Sequence, residues 1–112
     1  MLVGALTTVL FAAVLQVALV LHVRATLIDS AAEGARYGAL ADRAPTDGAA
    51  RTTQLITSAL STRYATDVRA QGTVVDGLDV VQVEVTAPLP VLGLLGPTGS
   101  LTVTGHALAE VP

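Results

Sequence analysis

Residues 68–87 read VRAQGTVVDGLDVVQVEVTA, two valine-rich runs that meet at an Asp-Gly pair. Asp76-Gly77 is the dipeptide preferred by a two-residue type I′ turn, in which both central residues adopt positive φ. The stretch therefore predicts a β-hairpin with strands over 68–75 and 78–87.

The turn also fixes how the two strands pair. It places Val75 opposite Leu78 and Arg69 opposite Glu84. In this register the apolar side chains gather on one face of the hairpin, and they are Val68, Ala70, Val74, Val81, Val83 and Val85. A slip of one residue would send them to opposite faces, so the register is strongly specified.

The segments on either side of the hairpin predict one further strand and one helix. A third strand over 101–109 is indicated by apolar residues that alternate with threonine and histidine. Upstream, Pro45 blocks continuation of a preceding helix, and Thr46 or Asp47 can accept hydrogen bonds from the first turn of a new one. That helix is predicted over about 47–63. The expected fold class is α+β, with a small three-stranded antiparallel sheet covered by helices.

The N-terminal segment is uniformly apolar. No side chain from Met1 to Leu21 is charged, and Arg24 is the first cation. At about 1.5 Å per residue such a run crosses a hydrocarbon core of roughly 30 Å, so residues 1–22 are predicted to form a transmembrane helix. A cleavable signal peptide is the alternative, but it would need a basic leader and a shorter apolar stretch.

The helical pattern continues through 23–42, outside the predicted membrane span. One face of this continuation carries mostly small residues, namely Leu27, Ala31, Gly34, Ala35 and Gly38. The opposite face carries Asp29, Glu33 and Arg36, for which a solvated Glu33–Arg36 pair is expected. A Gly-x-x-x-Gly spacing allows another backbone to approach closely. The partner on the small face is either the second helix of the same domain, which occupies 43–112, or a helix of another protein.

The segment before the third strand, PLPVLGLLGPTG at residues 88–99, is apolar but broken by proline and glycine. These breaks predict a loop and not a second membrane span. Its larger apolar side chains are Val91, Leu92, Leu94 and Leu95. They either tuck under the sheet or present a contact surface to lipid or to a partner.

Composition limits the possible functions of these 112 residues. The chain is 52% hydrophobic and 13% charged, with a formal net charge of −3, which argues against nucleic-acid binding. It has no cysteine, and its two histidines, His22 and His106, belong to no recognisable catalytic or metal-binding motif. A non-enzymatic protein without cofactor, metal or small-molecule substrate is therefore expected.

Residues 31–40, AAEGARYGAL, follow the hydrophobic helix directly. In this position they resemble the signature of the TadE-like family of tight-adherence (Flp-type) pilus assembly proteins. The residues that match are Ala31, Ala32, Glu33, Gly34, Ala35 and Arg36. The resemblance implies a pilin-like, single-pass protein of the cytoplasmic membrane with a small extracytoplasmic α/β region. Its partners would be membrane lipid and other pilin-like or pilus assembly proteins.

Two features leave alternatives open. Family members usually carry a short leader that ends in a cleaved glycine, with a glutamate at the start of the helix, and neither precedes Gly4 in this sequence. The positive-inside rule, applied to Arg24 alone, favours a cytoplasmic domain, whereas the resemblance implies an extracytoplasmic one. A membrane-tethered ligand-binding or regulatory module unrelated to a filament is the other functional hypothesis.

Overall fold

A computed structural model describes residues 1–88 and 100–110 of the chain. These residues form two α-helices, a short 3₁₀ turn and three strands. The elements are α1 (Leu2–Gly38), α2 (Pro45–Ala59), the 3₁₀ turn (Thr62–Ala65), β1 (Val68–Val75), β2 (Leu78–Pro88) and β3 (Ser100–Leu108). The strands form one antiparallel sheet in the order β1-β2-β3, so the predicted α+β fold is confirmed.

The hairpin has the predicted register. Arg69 lies opposite Glu84 and Val75 lies opposite Leu78. The turn residues Asp76 and Gly77 have φ angles of 53° and 79°, the positive values that a type I′ turn requires. The hairpin thus obeys the local chemistry of its Asp-Gly pair.

One side of the sheet packs against the helices. Val83 and Val85 of the central strand are fully buried, and Val103 of β3 is 5% exposed. Val74, predicted for the packed face, is instead 65% exposed, because it lies on an edge strand near the hairpin tip and opposite Asp79. The packed layer therefore covers the middle of the sheet and stops short of the turn.

The helix boundaries differ from the predicted ones by two to four residues. The first helix, expected to reach residue 42, ends at Gly38, and the second spans Pro45–Ala59 where about 47–63 was expected. Pro45 occupies the first turn of α2, where its missing N–H is not needed. The Ala44 N–H donates to Asp47 Oδ2 at 2.8 Å, so Asp47 stabilises the start of α2 from its third position by accepting from the N-cap N–H, and not from the first-turn N–H groups that the sequence suggested.

The two halves of α1 have different surroundings. Apart from two partly exposed residues, its side chains are exposed up to His22, and burial begins at Val23. From Val23 onward α1 contributes to one hydrophobic core with α2 and the sheet. The fully or almost fully buried residues of that core are Val23, Leu27, Ala31, Ala35, Ile56, Val83, Val85, Ala87 and Val103. Residues 2–22 of α1 therefore form a free N-terminal arm, and the rest of the helix, from Val23 to Gly38, is the spine of the domain.

Candidate functional site

The small-residue face of α1 is closely packed and buried. Leu27, Ala31 and Ala35 are completely buried, and Gly34 and Gly38 are also buried. All five residues predicted for this interface therefore lie inside the structure. They pack against elements of the same chain, which is the intramolecular one of the two alternatives that the sequence left open.

The second helix approaches this face at its glycines. A Cβ built on Gly34 would overlap Thr52 Oγ1 and would lie 2.7 Å from the carbonyl oxygen of Gly48. A Cβ built on Gly38 would lie 3.0 Å from Gly48 Cα. Glycine on both helices thus allows the two backbones to approach closely.

Thr52 links the two helices at the same point. It is fully buried, and its hydroxyl lies 2.8 Å from the Gly48 carbonyl oxygen and 3.4 Å from that of Ser30. A buried hydroxyl is costly unless it is hydrogen-bonded, and these acceptors satisfy it. Gly48 was not identified from the sequence as the residue that faces Gly34 and Gly38.

The third strand meets the same part of α1 through Gly105. A Cβ built on Gly105 would lie 2.5 Å from the Ala31 carbonyl carbon and 2.5 Å from the Ala32 nitrogen. Helix and strand therefore touch backbone to backbone. This contact was not identified from the sequence, although a glycine inside a strand is a recognised sign of close backbone approach.

The residues that carry the family resemblance divide into two groups. Ala31, Gly34 and Ala35 are buried, and Ala32 is half-buried, so packing accounts for their small size. Glu33 and Arg36 point outward and form an ion pair at 3.0 Å, with side chains 50% and 68% exposed. The charged residues of the signature thus lie on the surface, where such a pair stabilises a helix by only about 0.2–0.5 kcal/mol.

The free arm of α1 has the properties of a membrane-spanning helix. It is the one helix among the described residues that is long and apolar enough to cross a membrane, and its most apolar window has no buried residue. The hydroxyls of Thr7 and Thr8 donate to the carbonyl oxygens of Val3 and Gly4 at 2.8 and 2.9 Å. These bonds within the helix satisfy polar groups that would otherwise be costly to place in lipid.

The two histidines occupy exposed positions on different elements. His22 is exposed on α1 and His106 is exposed on the outer face of β3. Within residues 1–88 and 100–110, no group of three or more histidine or acidic side chains could hold a metal ion. The predicted loop contact of Val91, Leu92, Leu94 and Leu95 lies outside the described residues.

An open pocket of about 400 Å³ lies at the end of the domain farthest from the free arm. It is bounded by the segment after α1 and by the hairpin, and its charged lining residues are Arg43, Asp79 and Glu110. The Arg43 guanidinium lies over the Tyr37 ring at 4.9 Å and is 4.0 Å from Asp42. Arg43 is thus held by its neighbours near the end of α1.

Comparisons with models of protein families, with curated proteins and with solved structures found no match to this chain.

Proposed function

We propose that this protein is a membrane-anchored, minor pilin-like (pseudopilin) subunit that acts in assembly of a tight-adherence type pilus or a related secretion machine. In this proposal residues 1–22 hold it in the cytoplasmic membrane as a single-pass protein. The α+β domain lies on the extracytoplasmic side, and the protein performs no catalysis.

The observation that carries the proposal is the division of α1 into two halves. Residues up to His22 form an apolar arm, and from Val23 the same helix is the buried spine of a small sheet domain. Such a helix can pack beside other membrane helices through its first half while its second half holds a domain at the membrane surface. The AAEGARYGAL resemblance at residues 31–40 supports the same interpretation.

The packing surface for other subunits is assigned here to the free arm. Gly34 and Gly38 are already covered by α2, and Ala31 is covered by Gly105 of β3. The arm itself carries small residues, which favour close contact between helices in lipid. They are Gly4, Ala5, Ala12, Ala13 and Ala18.

A replacement of the arm tests this assignment in the native organism. The gene is deleted and then restored either intact or with residues 2–21 changed to leucine. A leucine helix of equal length still spans the bilayer but has lost the small residues. A pilin-like subunit requires specific helix contacts, so the leucine variant should enter the membrane in normal amounts and fail to restore pilus assembly.

Full restoration by the leucine variant would contradict the proposal, because any anchor would then suffice. Normal pilus assembly in the deletion strain would contradict it as well. A separate readout is the N-terminus of the mature protein from native membranes. A terminus created just after a glycine and a few residues before a glutamate would support processing as a pseudopilin.

The alternative, a membrane-tethered ligand-binding module, is favoured by one observation, the open pocket of about 400 Å³ beside Arg43, Asp79 and Glu110. Under this alternative the leucine variant remains active. Arg43→Gln should then abolish function without lowering the amount of protein in the membrane.

A further inference from the structure

We infer that the end of the domain nearest the free arm lies on the lipid headgroups, and that Arg24 and Arg63 contact their phosphates. This inference rests on the proposed membrane anchoring. It adds which surface of the domain faces the membrane and what chemistry that surface recognises.

The position of this end follows from α1. The run of uncharged, mostly apolar residues ends at Leu21, and burial in the domain begins at Val23. The helix runs unbroken through this junction. No linker therefore separates the span from the domain, and the first buried turn of α1 is held next to the headgroup layer.

The third strand begins at the same level. Gly105 lies against Ala31 and Ala32, and the Glu110 N–H donates to the Ala39 carbonyl oxygen at 2.7 Å, so β3 runs in the same direction as α1. Between these two contacts the third strand and its continuation advance by five residues, from Gly105 to Glu110, while α1 advances by seven or eight, from Ala31 or Ala32 to Ala39. A strand rises about twice as far per residue as a helix. Counting back five residues from Gly105 on β3 and seven or eight from Ala31 or Ala32 on α1 therefore places Ser100 at the level of about Arg24.

The second helix brings the 3₁₀ turn to this level from the other side. Gly48 lies against Gly34 and Gly38, whereas Ala59 shares a surface groove with Thr26, so α2 runs back toward the free arm. The 3₁₀ turn follows directly and carries the exposed Arg63.

The charges of the described residues are distributed unequally between the two ends. The end nearest the free arm carries Arg24 and Arg63 together with an Arg69–Asp67 pair at 3.1 Å, and its other acidic residues are Asp29 on α1 and Glu84, which lies opposite Arg69 in the sheet. The opposite end has several acidic residues and one arginine, namely Asp42, Asp47, Asp76, Asp79, Glu110 and Arg43. An anionic membrane therefore repels the opposite end more strongly than the first end.

The side chains around Arg63 suit a headgroup layer. Its guanidinium lies 5.7 Å from the ring centre of Tyr64, a half-buried residue that packs against the core. Tyrosine is enriched at membrane interfaces because its ring is apolar and its hydroxyl is polar. Exposed hydroxyl residues precede Arg63 in the chain, namely Ser61 and Thr62, and others lie at the start of β3, namely Ser100 and Thr102.

Single-cysteine labelling of the full chain tests the inference directly, because the natural sequence has no cysteine to remove. Thr62→Cys probes the arm end, Ala41→Cys the opposite end and Val17→Cys the span. Each is labelled with an environment-sensitive fluorophore and placed in nanodiscs of phosphatidylcholine, with or without phosphatidylglycerol. Nitroxide-labelled lipids then quench the fluorophores that lie close to the headgroups or the acyl chains.

We expect headgroup nitroxides to quench the label at position 62 but not the label at position 41. Quenching at 62 should be stronger with phosphatidylglycerol present. Changing Arg24 and Arg63 to glutamine should lower the ratio of molecules whose domain lies on the headgroups to molecules whose domain does not, by about five-fold per arginine in the anionic nanodiscs.

Three results would overturn the inference. Equal quenching at positions 62 and 41, with acyl-chain quenching intact at 17, would show an inserted anchor whose domain does not lie on the membrane. Quenching at position 62 that depends neither on phosphatidylglycerol nor on Arg24 and Arg63 would exclude phosphate recognition. Loss of acyl-chain quenching at position 17 would remove the membrane anchor itself, and with it the proposed function.

Discussion

Gly105→Ala should destabilise the domain although it adds only one methyl group. The new Cβ would lie 2.5 Å from two backbone atoms of α1, the Ala31 carbonyl carbon and the Ala32 nitrogen, and 2.7 Å from the Ala31 oxygen. Backbone atoms cannot move aside by changing rotamer. The helix must therefore retreat from β3 by roughly 1 Å to restore an ordinary contact.

The size of the effect follows from two opposing terms. Overpacking of a close-packed core costs about 1–3 kcal/mol, whereas replacing glycine by alanine in a strand recovers about 0.5–1 kcal/mol of backbone entropy. We expect a net loss of about 1–2 kcal/mol, a large part of the roughly 3–5 kcal/mol available to a domain of this size.

Gly72→Ala is the matched control, because Gly72 also lies inside a strand. Its added Cβ meets Pro45 Cγ at 4.0 Å, an ordinary van der Waals contact. This substitution should be neutral or should stabilise the domain by up to about 0.5–1 kcal/mol. Both variants would be measured in the full chain in detergent by urea unfolding, followed by circular dichroism. Equal stability of the two variants would refute the proposed backbone contact between α1 and β3.

Three further predictions, each on a separate feature, use the same unfolding assay. Gly34→Ala should cost about 1–3 kcal/mol because its Cβ overlaps Thr52 Oγ1, and Thr52→Ala should cost less in that background than in the natural chain; strict additivity would contradict the overlap. Gly77→Ala should cost about 1–2 kcal/mol from its φ of 79° alone, so an unchanged midpoint would contradict the type I′ turn. Asp47→Ala removes the acceptor for the Ala44 N–H and should cost about 0.5–2 kcal/mol, while Asp47→Asn, which keeps an acceptor oxygen, should cost less.

The turn and the register of the hairpin could be predicted because their determinants are local. An Asp-Gly pair requires positive φ at two successive residues, and the alternation of valine with polar residues allows one register. The observed pairing of Arg69 with Glu84 agrees with that register. No distant element was needed to decide it.

The helix ends were predicted less well because packing over long sequence distances decides them. The residues around Gly38 favour a helix by their sequence, yet α1 ends at Gly38 because the chain reverses there into α2. The reversal is so tight that a Cβ on Gly38 would lie 3.2 Å from the Ala44 carbonyl oxygen. The short 3₁₀ turn at Thr62–Ala65 was not anticipated and ends the second helical segment early. Neither event has a distinctive local signal.

The close-packed face was found in the sequence, but its occupant was not. Small residues at helical spacing indicate that another backbone approaches the helix closely, and that backbone can belong either to the same chain or to another protein. Only the three-dimensional arrangement identifies Gly48 and Gly105 as the facing residues. A glycine has no side chain that could indicate its partner, so the sequence left both alternatives open.

The contact between α1 and β3 has a consequence for biosynthesis. It joins α1 to a strand that is translated much later, and the Glu110 N–H donates to the Ala39 carbonyl oxygen. The domain cannot complete its core until β3 has been translated, well after α1 has left the ribosome. Throughout that interval the backbone at Ala31 lacks the cover that β3 later provides.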